Sequence, residues 1–478
     1  MKKTLSLDPF LPRRLHARGV ALSHTHFALA VPEGTLSRLA AGWFALALAA
    51  LVGAGLLSVL LVLSRAPYLQ NLFPVADFFR VALVVHVDLS VLVWFVAFAG
   101  VLWTINSTPR CVILAKMALV LCLTGAVLML VAPFLGRGGP VMSNYVPVLE
   151  DPLFLTGLIV FGAGFGMLTL RSLLAPAPVG LPLDGQGALR FGLNTAAVSA
   201  AVALLALVLS WQAIPPGTVG RPYYEMLFWG AGHVVQFTWT LLMLVAWLWL
   251  ASLCGARVPL SPRVAVLLFA VGLASVFVVP VIYLAWPVAS AEHTKMLTWL
   301  MRFGGGLAIL PLGLAVLVGL VRAGSAGDET GPLRAALATS MILFSVGGAF
   351  GFLIQGSDVR IPAHYHGCIV GVTLAMMGLG YALLPRFGLR VPAQQLATAQ
   401  PWIYGAGQLL HITGLVWSGG YGVQRKVAGA EQVLRSTQEV AGMGLMGLGG
   451  LIAIVGGFLF LFVVWQAWGR SASDALRP

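Results

Sequence analysis

Long hydrophobic runs, separated by short polar stretches, repeat along almost the whole chain. Each run is at least about 18 to 20 residues long, the length of helix that crosses about 30 Å of hydrocarbon. Twelve runs are present, near residues 40–63, 77–104, 112–134, 152–172, 189–211, 222–253, 262–287, 300–321, 335–355, 361–385, 401–418 and 440–468. The pattern therefore predicts an all-α integral membrane protein, with a bundle of about 12 transmembrane helices.

The connections between the runs contain no long polar insertion, no low-complexity tract and no evident repeat. We therefore expect a single twelve-helix membrane domain at residues 40–468. A basic N-terminal tail at 1–39 and a short C-terminal tail at 469–478 would flank it. The N-terminal residues are too polar, and too far from a small-residue cleavage site, for a cleaved signal peptide, so we expect a tail that is retained.

Composition and charge agree with a membrane location. Hydrophobic residues make up 59% of the chain and charged residues only 9%. With the N-terminus inside, most Lys and Arg residues fall in cytoplasmic segments, as the positive-inside rule requires. The net charge of +13 is then explained by the orientation of the chain in the membrane, and no nucleic-acid partner is expected. We expect a bacterial-type inner (plasma) membrane protein, in contact with lipid, whose N- and C-termini are cytoplasmic.

The cysteines exclude several kinds of site. The chain contains four, Cys111, Cys122, Cys254 and Cys368, and they form neither a CxxC pair nor a CxxCH motif. This spacing argues against a disulfide framework, a thiolate zinc site and covalently attached c-type haem.

Four histidines lie inside predicted spans that run from outside to inside, where an ionisable side chain is costly and commonly functional. They are His86, His233, His364 and His366, each nearer the outer end of its span. His364 and His366 point about 200° apart on a helix, so they cannot easily share one metal, and two cofactors are expected. Neutral imidazole is a standard axial ligand of haem iron. The alternative for any single one is an interhelical hydrogen bond, which is also the expected role of His411.

These positions resemble subunit I of the haem-copper oxidase superfamily, which includes the nitric oxide reductases. The features are His86 in the second span, Phe-Trp-Gly-Ala-Gly-His233 in the sixth and His-x-His opening the tenth. The resemblance covers nearly the whole chain. It implies that His86 and His366 are the axial ligands of a low-spin haem. It also implies that His364 is the proximal ligand of a second, high-spin haem, both haems being non-covalent and b-type or similar.

Outer cationic residues are expected to pair with the haem propionates. Arg425 and Lys426 are the first candidates, followed by Arg137 and Arg360. The alternative for each of these cations is an ordinary contact with lipid headgroups.

The resemblance is incomplete at the second metal. His233 matches one of three copper ligands, but the adjacent His-His pair that the family carries in the seventh span is absent from the sequence. Glu292 and His293 could join His233 as metal ligands, and an oxygen ligand would shift the preference from copper toward iron. The alternative is a solvated outer loop. Phe237 stands where many oxidases carry a tyrosine, which leaves Gln236 as the nearby polar group. A normal copper site is therefore not expected, and non-haem iron remains open.

Glu225 lies two turns from His233 toward the outside and could relay protons from that side. Its alternative role is a helix-start acid after Pro222, favoured by the helix dipole. The cytoplasmic half offers few proton carriers, so we expect no strong proton pump.

Together these features predict a haem-binding membrane oxidoreductase that passes electrons from a low-spin to a high-spin haem and reduces O2 or nitric oxide. The expected electron donor is a cytochrome c, a cupredoxin or a quinol, acting through another subunit. Two alternatives remain: a non-catalytic di-haem electron-transfer or gas-sensing protein, and a twelve-span secondary transporter. The sequence shows neither the paired interrupted segments nor the internal repeat typical of transporters.

Overall fold

The structure is a computed structural model that describes residues 26–69, 76–136, 138–324 and 327–468. The predicted C-terminal tail, Arg137 and most of the predicted N-terminal tail lie outside the described residues.

The described residues are almost entirely helical. In chain order the α-helices are α1 (Thr35–Leu63), α2 (Ala76–Val87), α3 (Trp94–Ile105), α4 (Val112–Val131), α5 (Pro152–Leu174), α6 (Gly185–Ala213), α7 (Gly220–Leu253), α8 (Pro262–Ala274), α9 (Val279–Ala285), α10 (Ala291–Trp299), α11 (Ile309–Arg322), α12 (Gly331–Gly351), α13 (Arg360–Leu383), α14 (Gln394–Gly420) and α15 (Thr437–Trp468).

Shorter elements join or interrupt these helices. The 3-10 helices are Ala132–Leu135, Ser275–Val278, Asp328–Thr330, Leu384–Phe387 and Gly429–Glu431, and the π-helices are Asp88–Val93 and Leu300–Gly304. Strands β1 (Pro140–Val141) and β2 (Val148–Leu149) form a small antiparallel hairpin, with Pro140 opposite Leu149.

Eleven helical segments of the described chain are long and apolar enough to cross a membrane, and they overlap eleven of the predicted runs. They are Thr35–Leu63, Phe79–Ile105, Val112–Leu135, Pro152–Leu174, Gly185–Ala213, Gly220–Leu253, Pro262–Ala285, Ala291–Arg322, Gly331–Gly351, Arg360–Phe387 and Thr437–Trp468. The remaining run, 401–418, lies in α14. That helix has 27 residues, enough to cross, but polar residues such as Gln400, Gln408 and His411 lower its hydrophobicity.

The eighth span begins earlier than the hydrophobic pattern predicts. The run starts near residue 300, whereas α10 starts at Ala291, because the Ser290 hydroxyl accepts a hydrogen bond from the His293 amide (3.1 Å) and caps the helix. Glu292 and His293 therefore lie in a helical turn, and His293 is only 1% exposed. The alternative of a solvated loop at His293 is wrong.

Two central helices carry three of the four candidate histidines. In the most hydrophobic stretch of the spans built on α7 and α13, 83% and 89% of the residues are buried inside the protein. The corresponding share for α1 is 33%. His233 lies on α7, and His364 and His366 lie on α13. His233 is itself buried, at 2% exposed, whereas His364 and His366 are half-buried at the start of α13.

Helices α14 and α15 approach each other through glycines. A Cβ atom added at Gly449 would overlap the backbone nitrogen of His411 and lie 2.6 Å from the Gly407 carbonyl oxygen. A Cβ at Gly414 would lie 2.5 Å from the Gly442 carbonyl oxygen. Small residues at such positions allow the backbone contact that holds helices together in lipid, where water exclusion contributes little.

We expect Gly449→Ala to destabilise the protein, because the added methyl group meets backbone atoms that cannot rotate away. Overpacking of this kind costs about 1 to 3 kcal/mol. The measurement is the thermal unfolding midpoint of the purified protein in detergent. Gly444→Ala is the matched control on the same helix, since its Cβ would have no neighbour within 4 Å. An equal loss of stability in both variants would contradict this packing.

Candidate haem site

A single large cavity brings three of the predicted histidines together. His86, His364 and His366 line a space of about 1750 Å³ between the helices. Pockets for drug-sized ligands commonly enclose about 300 to 1,000 Å³, so this cavity has room for something considerably larger. Its lining is mainly apolar, which suits the faces of a large planar cofactor.

The three imidazoles are held in the same way, each through a hydrogen bond from Nδ1 to a backbone carbonyl. These bonds are His86 to Ala54 (2.9 Å), His364 to Gly347 (2.7 Å) and His366 to Pro362 (2.8 Å). A carbonyl oxygen can only accept, so each Nδ1 carries the proton and each Nε2 keeps its lone pair. Metal-ligating histidines are commonly fixed by such a bond. The donor set therefore fits haem iron.

Glycines on α12 make this arrangement possible for His364. A Cβ atom at Gly351 would lie 2.8 Å from Nδ1 of His364, and one at Gly347 would lie 2.6 Å from the backbone nitrogen of Cys368. Both contacts are shorter than real Cβ atoms allow, so only glycine fits here. The close approach of α12 to α13 brings the Gly347 carbonyl within reach of the imidazole.

His411 also lines the cavity, and its ring centroid lies 5.2 Å from that of His366. Two imidazoles on opposite sides of one iron place their centroids about 6 Å apart, given metal–nitrogen bonds near 2 Å. His366 and His411 are therefore too close to flank a single iron. His411 instead bonds through Nδ1 to the Met446 carbonyl (3.0 Å), so the expected interhelical hydrogen bond is present between α14 and α15.

Cationic side chains line part of the cavity. Arg425 and Lys426, the first propionate candidates, are among them, and so is Arg65, which the sequence analysis missed. Burial lowers the pKa of Arg65 to about 10, so its guanidinium remains charged at neutral pH. Arg360, another propionate candidate, pairs instead with Asp358 at 2.6 Å.

Lys426 is the most constrained of these cations. Its backbone adopts φ +64°, in the left-handed region, and its ammonium donates to the Met142 carbonyl (2.6 Å) and Asn144 Oδ1 (3.4 Å). Burial and the nearby Arg425 lower the pKa of Lys426 to about 8. An anionic group such as a propionate would complete its environment.

The second metal does not fit the residues around His233. Nδ1 of His233 bonds the Trp229 carbonyl (2.8 Å), and Nε2 bonds the Tyr145 hydroxyl (3.0 Å), so both ring nitrogens are engaged. His233 is 2% exposed and is absent from the cavity lining. His293 packs edge-on against Tyr283, with centroids 4.7 Å apart. In the part of the chain that the structure describes, no three His, Cys, Asp or Glu side chains form a group that could hold a metal ion, so His233, Glu292 and His293 are not brought together as ligands.

Glu225 and Gln236 occupy different parts of the site. Glu225 accepts a hydrogen bond from Asn144 Nδ2 (2.8 Å), and Asn144 in turn contacts Lys426. Glu225 and Asn144 also line a smaller outer pocket of about 400 Å³. Gln236 faces the main cavity, and its amide lies 3.4 Å from the Tyr145 hydroxyl. Burial raises the pKa of the Tyr145 phenol, which keeps it protonated at neutral pH.

Comparison with known proteins decides the family. A family model described as "Cytochrome C and Quinol oxidase polypeptide I" matches residues 38–459. The chain belongs to this subunit I family of the haem-copper oxidases. Membership confirms the predicted family and implies haem cofactors, a multi-pass membrane location, and a substrate such as O2 supplied with electrons by a donor.

Two relatives of this subunit I chain are described only as uncharacterized proteins. One, from Rickettsia prowazekii (strain Madrid E), is 26% identical over an alignment of 500 residues, which covers 89% of this chain and 95% of that protein. The other, from Aquifex aeolicus (strain VF5), is 28% identical over 357 residues, covering 72% of this chain and 84% of that protein.

A solved structure has a similar fold. It is a cryo-EM structure of a haem-copper terminal oxidase dimer, with a TM-score of 0.71 and 18% sequence identity, covering 94% of this chain and 85% of that chain. The likeness confirms a haem-copper oxidase subunit I-like bundle.

Among the charged and polar residues that line the cavity of this subunit I chain, the sequence analysis missed Arg65, Tyr145 and Arg302. Arg65 and Tyr145 lie in loops, where no periodic pattern indicates which way a side chain points. Arg302 lies in the π-helix Leu300–Gly304 and also lines the cavity. Because π-helical turns recur at functional sites and leave no clear sequence signal, only the charge of Arg302 inside a hydrophobic run could have suggested it.

We expect Lys426→Met to lower the reduction potential of cavity haem by up to about 60 mV, a tenfold change in a one-electron equilibrium. Loss of a nearby positive charge disfavours an added electron. A propionate beside Lys426 would hold its pKa above about 8, so the difference between the variant and the unmodified protein should shrink only at a pH high enough to deprotonate Lys426. The measurement is a spectroelectrochemical titration at several pH values.

The control for this titration is Lys295→Met, which removes the same charge from a side chain that lies over the Trp299 ring and outside the cavity lining. Equal shifts in Lys426→Met and Lys295→Met would contradict a position of Lys426 beside the haem.

Proposed function

We propose that this chain is a haem-binding membrane oxidoreductase that holds two haems in its central cavity and reduces O2 or nitric oxide without a normal copper site. The observation that carries this proposal is the cavity lined by three imidazoles whose Nδ1 atoms all donate to backbone carbonyls. Each ring is thereby oriented and left with a free lone pair, as a metal ligand needs.

In this proposal His86 and His366 hold the low-spin haem, and His364 holds the high-spin haem. When bound, the haems supply the electron transfer and the reduction of the diatomic substrate. The protein orients the three imidazole ligands, because the backbone carbonyls of Ala54, Pro362 and Gly347 accept hydrogen bonds from their Nδ1 atoms. The helical separation of His364 and His366 directs the two sites to different sides of α13.

The outer cations and the Glu225 network supply charge and protons in this proposal. Arg425 and Lys426 face the cavity, where they would pair with propionates. The hydrogen bonds that link Glu225, Asn144 and Lys426 support proton delivery from the outer pocket. Gln236 would contact the substrate side of the cavity. A cytochrome c, cupredoxin or quinol would deliver electrons through another subunit.

We further propose that residues 40–468 form one membrane domain in a bacterial-type plasma membrane, with the tails 1–39 and 469–478 in the cytoplasm. The distribution of Lys and Arg supports this orientation.

One observation favours a second candidate function. Because both nitrogens of His233 are engaged, a reaction that needs two metals is less well supported than reversible binding of a diatomic gas at one open haem. A di-haem electron-transfer or gas-sensing protein would use the same three haem ligands.

We expect His86→Ala and His366→Ala each to abolish the low-spin signal in reduced-minus-oxidised spectra, since each removes one axial ligand. His364→Ala should abolish the carbon monoxide difference spectrum and leave the low-spin signal. The measurement combines these spectra with iron and copper analysis of the purified protein. Two irons per chain with a carbon monoxide shift would support the open haem, and no shift would favour electron transfer alone.

His293→Ala is the matched control, because this buried histidine does not line the main cavity. It should retain both haem signals. Purified protein without haem, or a low-spin spectrum that survives both His86→Ala and His366→Ala, would refute the proposed function.

A further inference from the structure

The two hydrogen bonds of His233 determine where its proton lies. The Trp229 carbonyl can only accept, so Nδ1 of His233 is the donor in that bond. In a neutral imidazole, Nε2 then has no proton and accepts the hydrogen bond from the Tyr145 hydroxyl. The lone pair that a metal would need is therefore already used by a phenol.

Tyr145 is seated against α7 by shape as well as by this hydrogen bond. A Cβ atom at Gly232 would overlap the Tyr145 ring, so glycine is required there. The Tyr145 ring packs edge-on against Trp229, with centroids 5.8 Å apart, and lies tilted against the His233 ring, with centroids 4.9 Å apart. The Gln236 amide approaches the hydroxyl oxygen at 3.4 Å.

Two glycines just before His233 leave room for tyrosine side chains. Gly232 leaves room for Tyr145, and Gly230 leaves room for Tyr283, whose hydroxyl would overlap a Cβ at that position. The two phenols have different surroundings: Tyr283 hydrogen-bonds Ser210 (2.7 Å) and lies outside the main cavity, whereas Tyr145 lines it. Of these two phenols, Tyr145 is the one placed to contact a ligand inside the cavity.

Tyr145 and Gln236 therefore form the cavity wall in front of His233, which does not itself line the cavity. We propose that the Tyr145 hydroxyl takes the position of the second metal, facing a diatomic ligand in the haem cavity, and that His233 is a positioning residue that orients this hydroxyl. The proposal rests on the proposed haem function of the same cavity. It assigns the polar contact with the ligand to Tyr145 and Gln236.

The test uses carbon monoxide as the probe, in the reduced, haem-loaded full chain. We expect Tyr145→Phe to shift the infrared stretching band of bound carbon monoxide, because the hydroxyl dipole beside the ligand is lost. If the hydroxyl also stabilises the ligand by one hydrogen bond, carbon monoxide should leave about three to ten times faster. Tyr283→Phe is the matched control and should leave the band and the release rate unchanged.

A second pair of variants tests the positioning role of His233. His233→Gln keeps an acceptor for the Tyr145 hydroxyl and should give a band close to that of the unmodified protein. His233→Leu removes the acceptor and should give a shifted or broadened band. Copper and non-haem iron contents should be negligible in the unmodified protein and equally so in both variants, since no metal depends on His233.

Two results would overturn the proposal. One is stoichiometric copper or non-haem iron that is lost in both His233→Gln and His233→Leu. The other is a carbon monoxide band that is identical in Tyr145→Phe and the unmodified protein. Protein that binds no haem would refute the proposed function together with this proposal, whereas haem-loaded protein with an unchanged Tyr145→Phe band would refute only the latter.

Discussion

The arrangement of the cavity depends on the hydrogen bonds between imidazole Nδ1 atoms and backbone carbonyls. A buried imidazole without a partner is costly in hydrocarbon, and a partner at Nδ1 removes that cost while setting the tautomer. The Ala54 carbonyl comes from α1, the Gly347 carbonyl from α12, and the Pro362 carbonyl from α13 itself. Helix packing and ligand geometry are thus coupled, because moving α1 or α12 would rotate a histidine.

Much of the fold could be predicted from the sequence because hydrophobic length is a direct requirement of the bilayer. Eleven runs correspond to spanning segments, and the helical separation of His364 and His366 follows from geometry alone. The start of α10 could not be predicted from hydrophobicity, since it is set by a Ser290 cap among polar residues. In helix α14 the polar residues Gln400, Gln408 and His411 lower the hydrophobicity, although the helix is long enough to cross a membrane and packs against other helices.

The candidate site also contains some residues that the sequence predicts and others that it does not. Histidines within apolar runs are conspicuous because ionisable residues are rare there. Arg65 and Tyr145 reach the cavity from loops, where neither periodicity nor burial can be inferred from spacing. The absent His-His pair predicted an altered second metal site, but not what stands in its place. The hydrogen bond between Tyr145 and His233, which spacing in the sequence could not reveal, is the basis of our proposal that the Tyr145 hydroxyl takes that position.

The hairpin formed by β1 and β2 carries Tyr145 to the cavity, although it belongs to no spanning helix. Membrane insertion depends on the apolar length of the helices, and changes within loop 142–147 leave that length untouched. A few loop substitutions could therefore alter the contacts that the cavity makes with a ligand, while the helices that carry the candidate haem ligands remain intact. Mutations in loop 142–147 and mutations in the spanning helices can therefore be selected independently. Related sequences with the same helices need not share the same chemistry.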